Sequence, residues 1–261
     1  MIPKIIHYCW FGDNPLPQLS VKCIESWRQY CPDYEIKEWN ESNFDIYLNQ
    51  YTKQAYEERK WAFVSDVARL HIVYNNGGIY LDTDVELLKS LDLLLNQDMY
   101  IGFESDEYIN TGLGFGAVKK FHLVKKMLDI YNNQVFVNTD GTYNKTTCPI
   151  NNTEVINQYG FVINNTKQSK NGITVYPSTY FNPTDTYNQV IKIRKQTFSI
   201  HHCNASWEDP DIININKKRL PYINFFGKHL GPKIFAVIQI YKKDGIKSVI
   251  KKIKNRLTKQ T

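Results

Sequence analysis

Two aspartates separated by a single threonine follow a short apolar segment in GGIYLDTDVELL, residues 77–88. Such a segment is typical of a buried strand, and in open α/β sheets ligands bind beyond the carboxyl ends of the strands. On extended backbone the side chains of Asp82 and Asp84 point the same way, so their charges repel unless a cation lies between them. Mg²⁺ or Mn²⁺, which prefer oxygen ligands, would suit them, although an isolated Asp-x-Asp is also compatible with a turn or a helix cap.

Two further pairs of residues could share this chemistry. Asp66 and Arg69 are three residues apart on a predicted helix and therefore lie on one face of it. His201 and His202 are adjacent on a predicted extended segment, so their side chains face opposite ways. An imidazole is a good Mn²⁺ ligand, and we expect only one of the two histidines to bind the metal, with His201 preferred.

The hydrophobic pattern that must position these residues alternates between strand and helix. Strands are predicted at residues 3–9, 33–39, 78–88, 99–104, 109–117, 172–177 and 196–203, and helices at 15–32 and within 42–76, the last ending at Gly77. Residues 132–172 are rich in Asn, Thr and Gly, which favours long loops. The pattern predicts an α/β fold with a mainly parallel sheet covered by helices.

Length and cysteine content limit the kind of protein. The 261 residues, 42% of them hydrophobic, can form one globular domain with a full core. The apolar run near the N-terminus is too short for a signal sequence or a membrane span. The cysteines form no Cys-x-x-Cys pair and are odd in number, which favours reduced, buried and inert thiols in a cytoplasm; they are Cys9, Cys23, Cys31, Cys148 and Cys203.

The net charge of +6 is unevenly distributed. Residues 217–261 contain thirteen Lys and Arg and one acid, whereas residues 1–216 are acidic, so we divide the chain into a domain, 1–216, and a basic tail, 217–261. Apolar residues recur at helical spacing in the tail, at Ile246, Val249, Ile250, Ile253 and Leu257. This amphipathic helix either packs on the domain or, as we prefer, lies on anionic lipid; no nucleic-acid partner is predicted.

Six segments in order resemble the sugar transferases of glycosyltransferase family 32, which are related to the yeast-type mannosyltransferases. They are IPKIIHYCWFG, SDVARL, GGIYLDTDVELLK, GFE, PSTYFNP and HHCNASW. The resemblance runs from about residue 2 to residue 207. It implies a GT-A fold, which is Rossmann-like, together with a nucleotide-sugar donor, a divalent metal and retention of anomeric configuration.

The resemblance also implies roles for individual residues. Asp84 would bind the metal, and Asp82 would contact the ribose or the sugar hydroxyls, directly or through water on the metal. Asp66 and Arg69 would hold the hydroxyls of the transferred sugar, unless they form only a surface salt bridge. Trp10, after the first strand, would stack on the nucleobase, or serve as an ordinary core aromatic residue.

Later residues complete this expected site. Ser206 and Trp207 match the Ser-Trp that closes the family's last motif and would cover the diphosphate. Asn110 would face the reactive side of the sugar or be an ordinary polar residue, and Glu104 or Asp106 would assist the acceptor. The sequence offers no obvious nucleophile, so catalysis would rest on positioning and electrostatics, with the departing diphosphate acting as the base.

The expected function is therefore a retaining hexosyltransferase. It would use a UDP-sugar, galactose or glucose being favoured, and a saccharide acceptor carried on a lipid diphosphate, in bacterial capsule or O-antigen synthesis. Its basic tail would hold it at the inner face of the cell membrane as a peripheral, cytoplasmic enzyme. Two alternatives are a phosphatase of the haloacid-dehalogenase type, against which Glu86 argues, and a non-catalytic membrane-bound adaptor.

Overall fold

The computed structural model describes residues 1–184, 190–203 and 210–257. Its strands are β1 (Ile5–Cys9), β2 (Glu35–Trp39), β3 (Gly78–Tyr80), β4 (Val85–Leu87), β5 (Met99–Phe103), β6 (Ile109–Asn110), β7 (Phe115–Ala117), β8 (Gln168–Lys170), β9 (Ile173–Tyr176) and β10 (Ser199–His201). Its helices are α1 (Gln18–Tyr30), α2 (Gln50–Glu57), α3 (Trp61–Asn76), α4 (His122–Asn132), α5 (Cys148–Gln158) and the helical segment α6 (Pro210–Leu257).

The main sheet has eight strands in the order β2-β1-β3-β7-β5-β9-β8, with β6 paired to β5. Strands β1, β2, β3, β5 and β9 run in one direction, and β6, β7 and β8 run in the other. Helix-containing connections carry the chain between the first three strands, as parallel neighbours require. The predicted α/β class, with a mainly parallel sheet, is confirmed.

Helix α3 forms the centre of the core. Its sequence, WAFVSDVARLHIVYNN, is apolar around most of its circumference, and nine of its residues are buried. It ends as predicted at Gly77, where φ is 71° and the amide donates to the carbonyl of Val73. Because Gly77 leads directly into β3, this cap fixes where the next strand enters the sheet.

A buried histidine on β1 joins this junction to the neighbouring strand. His7 Nε2 donates to the carbonyl of Gly77 at 2.9 Å, and its Nδ1 accepts from the indole of Trp39 at 3.1 Å. These contacts require a neutral ring with the proton on Nε2. Burial lowers the pKa of His7 to about 4, so the ring stays neutral at physiological pH.

The predicted strand at 78–88 is wrong in one respect, because the structure breaks it in two. After β3 the chain turns, with the amide of Val85 donating to the carbonyl of Asp82 at 3.0 Å. It then enters β4, which leaves the main sheet and pairs antiparallel with β10. Short polar residues favour turns, and the Asp-Thr-Asp sequence provides three in succession.

The prediction of loops across residues 132–172 overlooked α5. This helix has the Asn-rich sequence CPINNTEVINQ, with Pro149 in its first turn. It forms because its buried face packs against β6 and α4, so tertiary contacts outweigh a weak local preference. Its first residue, Cys148, is thereby brought into the protein interior.

The described residues form two compact units. The first contains residues 1–184 and 191–203, and the second contains Val190 and α6. Helical geometry in α6 is interrupted at Gly227 and Gly245, where φ is near +75°. Residues 216 and 217, between which the sequence placed the domain boundary, both lie inside α6.

The side chains that would make the tail amphipathic, at residues 246, 249, 250, 253 and 257, lie outside the described residues, so that feature stays a prediction. Among the described helices, none combines the length and the apolar character needed to cross a bilayer.

Candidate active site

The candidate site lies at the edge of the main sheet where β3 and β5 end, and β10 of the small β4–β10 sheet ends beside them. Asp82 follows β3, Glu104 follows β5, and His201 is the last residue of β10. Trp10 follows β1, which is parallel to β3 with His7 opposite Tyr80, so Trp10 and Asp82 leave the sheet at the same edge. This is the edge at which open α/β sheets bind their ligands.

A buried arginine lies between two carboxylates of this site. Nη2 of Arg69 is 3.2 Å from Oδ1 of Asp66 and 3.0 Å from Oδ1 of Asp82. The side chains of Arg69 and Asp66 are only 5% and 10% exposed, so theirs is a buried ion pair and not a surface salt bridge. The guanidinium also lies 5.0 Å from the ring centroid of Tyr80, whose hydroxyl donates to Asp82 Oδ1 at 3.0 Å.

Burial and the charge of Arg69 act in opposite directions on the pKa of the carboxyl groups beside it. Burial raises the pKa of both Asp66 and Asp82, while the positive charge of Arg69 acts to lower them. The neighbouring charge of Asp84 raises the pKa of Asp82 further. Asp66 and Asp82 thus share one guanidinium, and Asp84 adds a third carboxylate beside Asp82.

The second aspartate faces the end of β10. Oδ1 of Asp84 is 3.2 Å from Nε2 of His201, and the backbone carbonyl of Asp84 accepts from the amide of His202 at 3.0 Å. Burial alone would lower the pKa of His201, but the hydrogen bond and charge of Asp84 raise it well above its ordinary value. Ligand atoms of Asp82, Asp84 and His201 all lie within 4.8 Å of one another.

The adjacent histidine is directed elsewhere. Nε2 of His202 contacts Oε2 of Glu86 at 2.9 Å. Opposite orientation of neighbouring residues on a strand explains this, because His201 and His202 follow the alternation of β10. The structure therefore brings His201 to the two aspartates, and it places His202 in a separate contact with Glu86.

A polar chain connects Glu104 to the arginine through Asn110 and Cys148. Asn110 Nδ2 donates to Glu104 Oε1 at 3.2 Å, and its Oδ1 accepts from the amide of Gly112 at 2.6 Å and the thiol of Cys148 at 3.4 Å. Nη1 of Arg69 in turn contacts the Cys148 sulfur at 3.3 Å. Asn110 is thus a linking residue whose two ends are both occupied.

The backbone of Gly112 lies close to the carboxylate of Asp82, and this close approach requires a glycine. A Cβ atom added to Gly112 would lie 2.3 Å from Asp82 Oδ2, 3.1 Å from Asn110 Oδ1 and 3.3 Å from Arg69 Nη1. Its φ lies outside the left-handed region, so the constraint is space and not backbone conformation. Only a residue without a side chain leaves the Asp82 carboxylate in its present position.

The remaining predicted residues lie at the periphery or outside the described chain. Trp10 is partly buried, and its indole donates to the carbonyl of Asn14 at 2.6 Å. Asp106 accepts from Asn165 at 2.9 Å and has no contact with the aspartate cluster within the described residues. Ser206 and Trp207 lie outside the described residues.

Sequence reasoning missed Tyr80, Gly112 and Cys148. Tyr80 could have been found, because residues two apart on a strand share a side and Tyr80 precedes Asp82 by two. Cys148 was classed with the inert buried thiols, and no local signal shows that α5 carries it to Arg69. Gly112 lies in the Gly-rich segment 109–117, where the pattern does not tell which glycine must remain small.

The residues present fit a divalent cation. Two carboxylates and one imidazole converge in Asp82, Asp84 and His201. Oxygen-rich sites of this kind suit Mg²⁺ or Mn²⁺, and the imidazole favours Mn²⁺.

Comparison with known proteins agrees with this chemistry. Residues 17–101 match the family model described as "Glycosyltransferase sugar-binding region containing DXD motif". Inositol phosphoceramide mannosyltransferase 3 of Schizosaccharomyces pombe is 34% identical to this chain over 47% of its length. Inositol phosphoceramide mannosyltransferase 1 of the same organism is 27% identical over 42% of this chain. The matches cover 35% and 39% of those proteins, so the chain spans well under half the length of these relatives.

A solved structure titled "PaToxG Glycosyltransferase" resembles the chain with a TM-score of 0.49 and 18% identity, over 61% of this chain and 70% of that one. Within residues 17–101 the one Asp-x-Asp sequence is Asp82–Thr83–Asp84. The segment that matches the DXD-type glycosyltransferase model therefore contains this motif, which lies at the centre of the cluster described above.

Proposed function

We propose that the protein is a metal-dependent glycosyltransferase that moves a hexose from a nucleotide sugar to a saccharide acceptor with retention of configuration. One observation carries the proposal. The buried Arg69, paired with Asp66 and Asp82, adjoins the set formed by Asp82, Asp84 and His201 inside a DXD-type region. Such a site offers both a place for a cation and fixed polar groups for a sugar.

Asp84 and His201 would hold the cation, with Asp82 beside them. When bound, the ion would supply positive charge to the diphosphate of the donor and to the nucleoside diphosphate that leaves. Asp82 is already held by Arg69 and Tyr80, so it would present a fixed carboxylate oxygen to the ribose or to the sugar. A fixed carboxylate needs no rearrangement as the reaction proceeds.

Asp66 and Arg69 would bind hydroxyl groups of the transferred sugar. Their buried ion pair fixes the direction of both side chains, and catalysis by proximity depends on such fixed positions. Glu104, oriented by Asn110, would receive a hydroxyl of the acceptor. In this reaction the leaving diphosphate takes the acceptor proton, and attack occurs on the face from which the diphosphate departs.

The identity of the sugar and of the acceptor extends this proposal. Our sequence expectation is a UDP-sugar of the galactose or glucose type, whereas the names of the fungal relatives make mannose a further candidate. Those names also include inositol phosphoceramide, a lipid, which supports an acceptor carried on a lipid. We retain a lipid-diphosphate saccharide of capsule or O-antigen type as the acceptor, with the basic tail holding the enzyme on the inner face of the membrane.

A donor-hydrolysis assay tests the proposal. The protein is incubated with a panel of UDP- and GDP-hexoses, with Mn²⁺, Mg²⁺ or EDTA, and release of nucleoside diphosphate is measured. We expect slow release from one donor, only with metal, and its loss in Asp84→Asn; His202→Ala is the matched control because His202 pairs with Glu86. Release of inorganic phosphate would instead support a phosphatase, and no release from any donor would support the adaptor.

A further inference from the structure

A second group of potential metal ligands adjoins the first. Glu104, His201 and Cys203 each offer a ligand atom within 4.8 Å of the others. Unlike the aspartate set, this group combines a carboxylate, an imidazole and a thiol. Of these, Cys203 is exposed, whereas the other cysteines, Cys9, Cys23, Cys31 and Cys148, are buried.

The imidazole of His201 lies between the two groups. Its Nε2 faces Asp84 at 3.2 Å, and its Nδ1 faces the sulfur of Cys203 at 3.4 Å. The third ligand is held in place as well, since Glu104 Oε1 accepts from Asn110 Nδ2 at 3.2 Å. An outer hydrogen bond of this kind is typical of ligating carboxylates.

We propose that Glu104, His201 and Cys203 form a site for Zn²⁺ that shares only His201 with the aspartate set. Thiolate, imidazole and carboxylate are the ligands that zinc takes in proteins, and three of them leave one tetrahedral position for water. Mg²⁺ and Ca²⁺ prefer oxygen ligands and would not be coordinated by the Cys203 sulfur. On binding, the Cys203 thiol and Nδ1 of His201 each give up any proton they carry to solvent as the sulfur–zinc and nitrogen–zinc bonds form.

The site has a consequence for the reaction, which rests on the proposed function. Both groups use His201, so an ion bound at Cys203 orients the ring and adds a second positive charge next to Asp84. Zn²⁺ therefore weakens the binding of Mn²⁺ at the aspartates and inhibits sugar transfer. Cys203→Ser removes this inhibition and leaves the aspartate set complete.

Cobalt binding tests the site without any assay of transfer. Co²⁺ is titrated into the purified full-length protein without nucleotide sugar, and the near-ultraviolet absorption that arises from sulfur-to-cobalt charge transfer is recorded. We expect the band in the wild type, its displacement by Zn²⁺, its loss in Cys203→Ser and its retention in Cys31→Ala, which changes a buried thiol far along the chain. Glu104→Gln should weaken Zn²⁺ binding at least about tenfold, since even outer partners of ligands cost that much.

Absence of the band in the wild type, or a band that persists in Cys203→Ser, overturns the proposal. Thermal melts of each variant show whether the fold is kept. Failure of the glycosyltransferase proposal would show instead as the absence of metal-dependent release of nucleoside diphosphate, which the cobalt experiment does not measure. The two proposals can therefore fail separately.

Discussion

Gly112→Ala should disable the site while adding only one methyl group. The new Cβ would lie 2.3 Å from Asp82 Oδ2, whereas ordinary van der Waals contact begins near 3.4 Å. The carboxylate must therefore move by about 1 Å, away from its positions beside Arg69 and Tyr80. A displacement of that size in a catalytic group costs roughly 100-fold in rate, so kcat/KM should fall about 100-fold, or about 3 kcal/mol in transition-state stabilisation.

The measurement is metal-dependent hydrolysis of the nucleotide sugar, with thermal unfolding recorded in parallel. Gly116→Ala is the matched control, because its Cβ would lie 2.6 Å from the ring of Tyr100 in the sheet and not against the carboxylates. Overpacking costs about 1–3 kcal/mol of stability in either variant. Only Gly112→Ala should lose activity beyond what its folded fraction explains.

Two results would contradict this reasoning. Unchanged kcat/KM in Gly112→Ala would mean that the position of Asp82 does not matter to the reaction. Equal losses in Gly112→Ala and Gly116→Ala, after correction for the folded fraction, would mean that general overpacking and not the displaced carboxylate is responsible.

Four further outcomes are expected. Asp84→Asn should abolish metal-dependent hydrolysis and leave the melting curve near that of the wild type; full activity would remove Asp84 from the metal site. His201→Ala should weaken Mn²⁺ binding at least about tenfold in a titration followed by electron paramagnetic resonance, whereas His202→Ala should bind as the wild type does, and equal losses would refute the orientation of the two rings. The pKa of His7 is about 4 in the folded protein against 6.5 unfolded, so the neutral ring contributes fully to the free energy of unfolding above pH 6.5. About 3 kcal/mol of that free energy is lost as the pH falls to 4. Urea titrations should show this fall of stability with pH in the wild type and its absence in His7→Gln. Deleting residues 232–261 should abolish binding to vesicles of anionic lipid in a sedimentation assay, and undiminished binding would exclude the tail as the membrane anchor.

Much of the fold follows from local patterns. The apolar face of α1, the continuous apolar sequence of α3 and the cap at Gly77 are all visible in the sequence, and each is determined by residues close together in the chain. The break after β3 was missed because a strand that leaves one sheet for another has the same apolar residues as one that continues. What decides between them is the pairing with β10, which no local pattern contains.

Part of the site was predictable from residue type together with the resemblance to the family 32 sugar transferases. Asp66, Arg69, Asp82 and Asp84 were expected together, and the structure places them within one set of contacts. The choice between His201 and His202 needed the register of β10, because both have the same side chain. Cys148 reaches Arg69 only through the packing of α5, which depends on residues far from it in the chain.

Pairing of β4 with β10 also has a kinetic consequence. The Glu86 and His202 contact beside it joins positions 116 residues apart, and each strand contributes only three residues. Closing so long a loop costs chain entropy, and the contacts of three pairs of residues offset little of that cost. We therefore expect this small sheet to form late in folding, after the main sheet. An ion shared by Asp84 and His201 would close the same loop a second time. The chain would then complete its own scaffold first and its ligand set last.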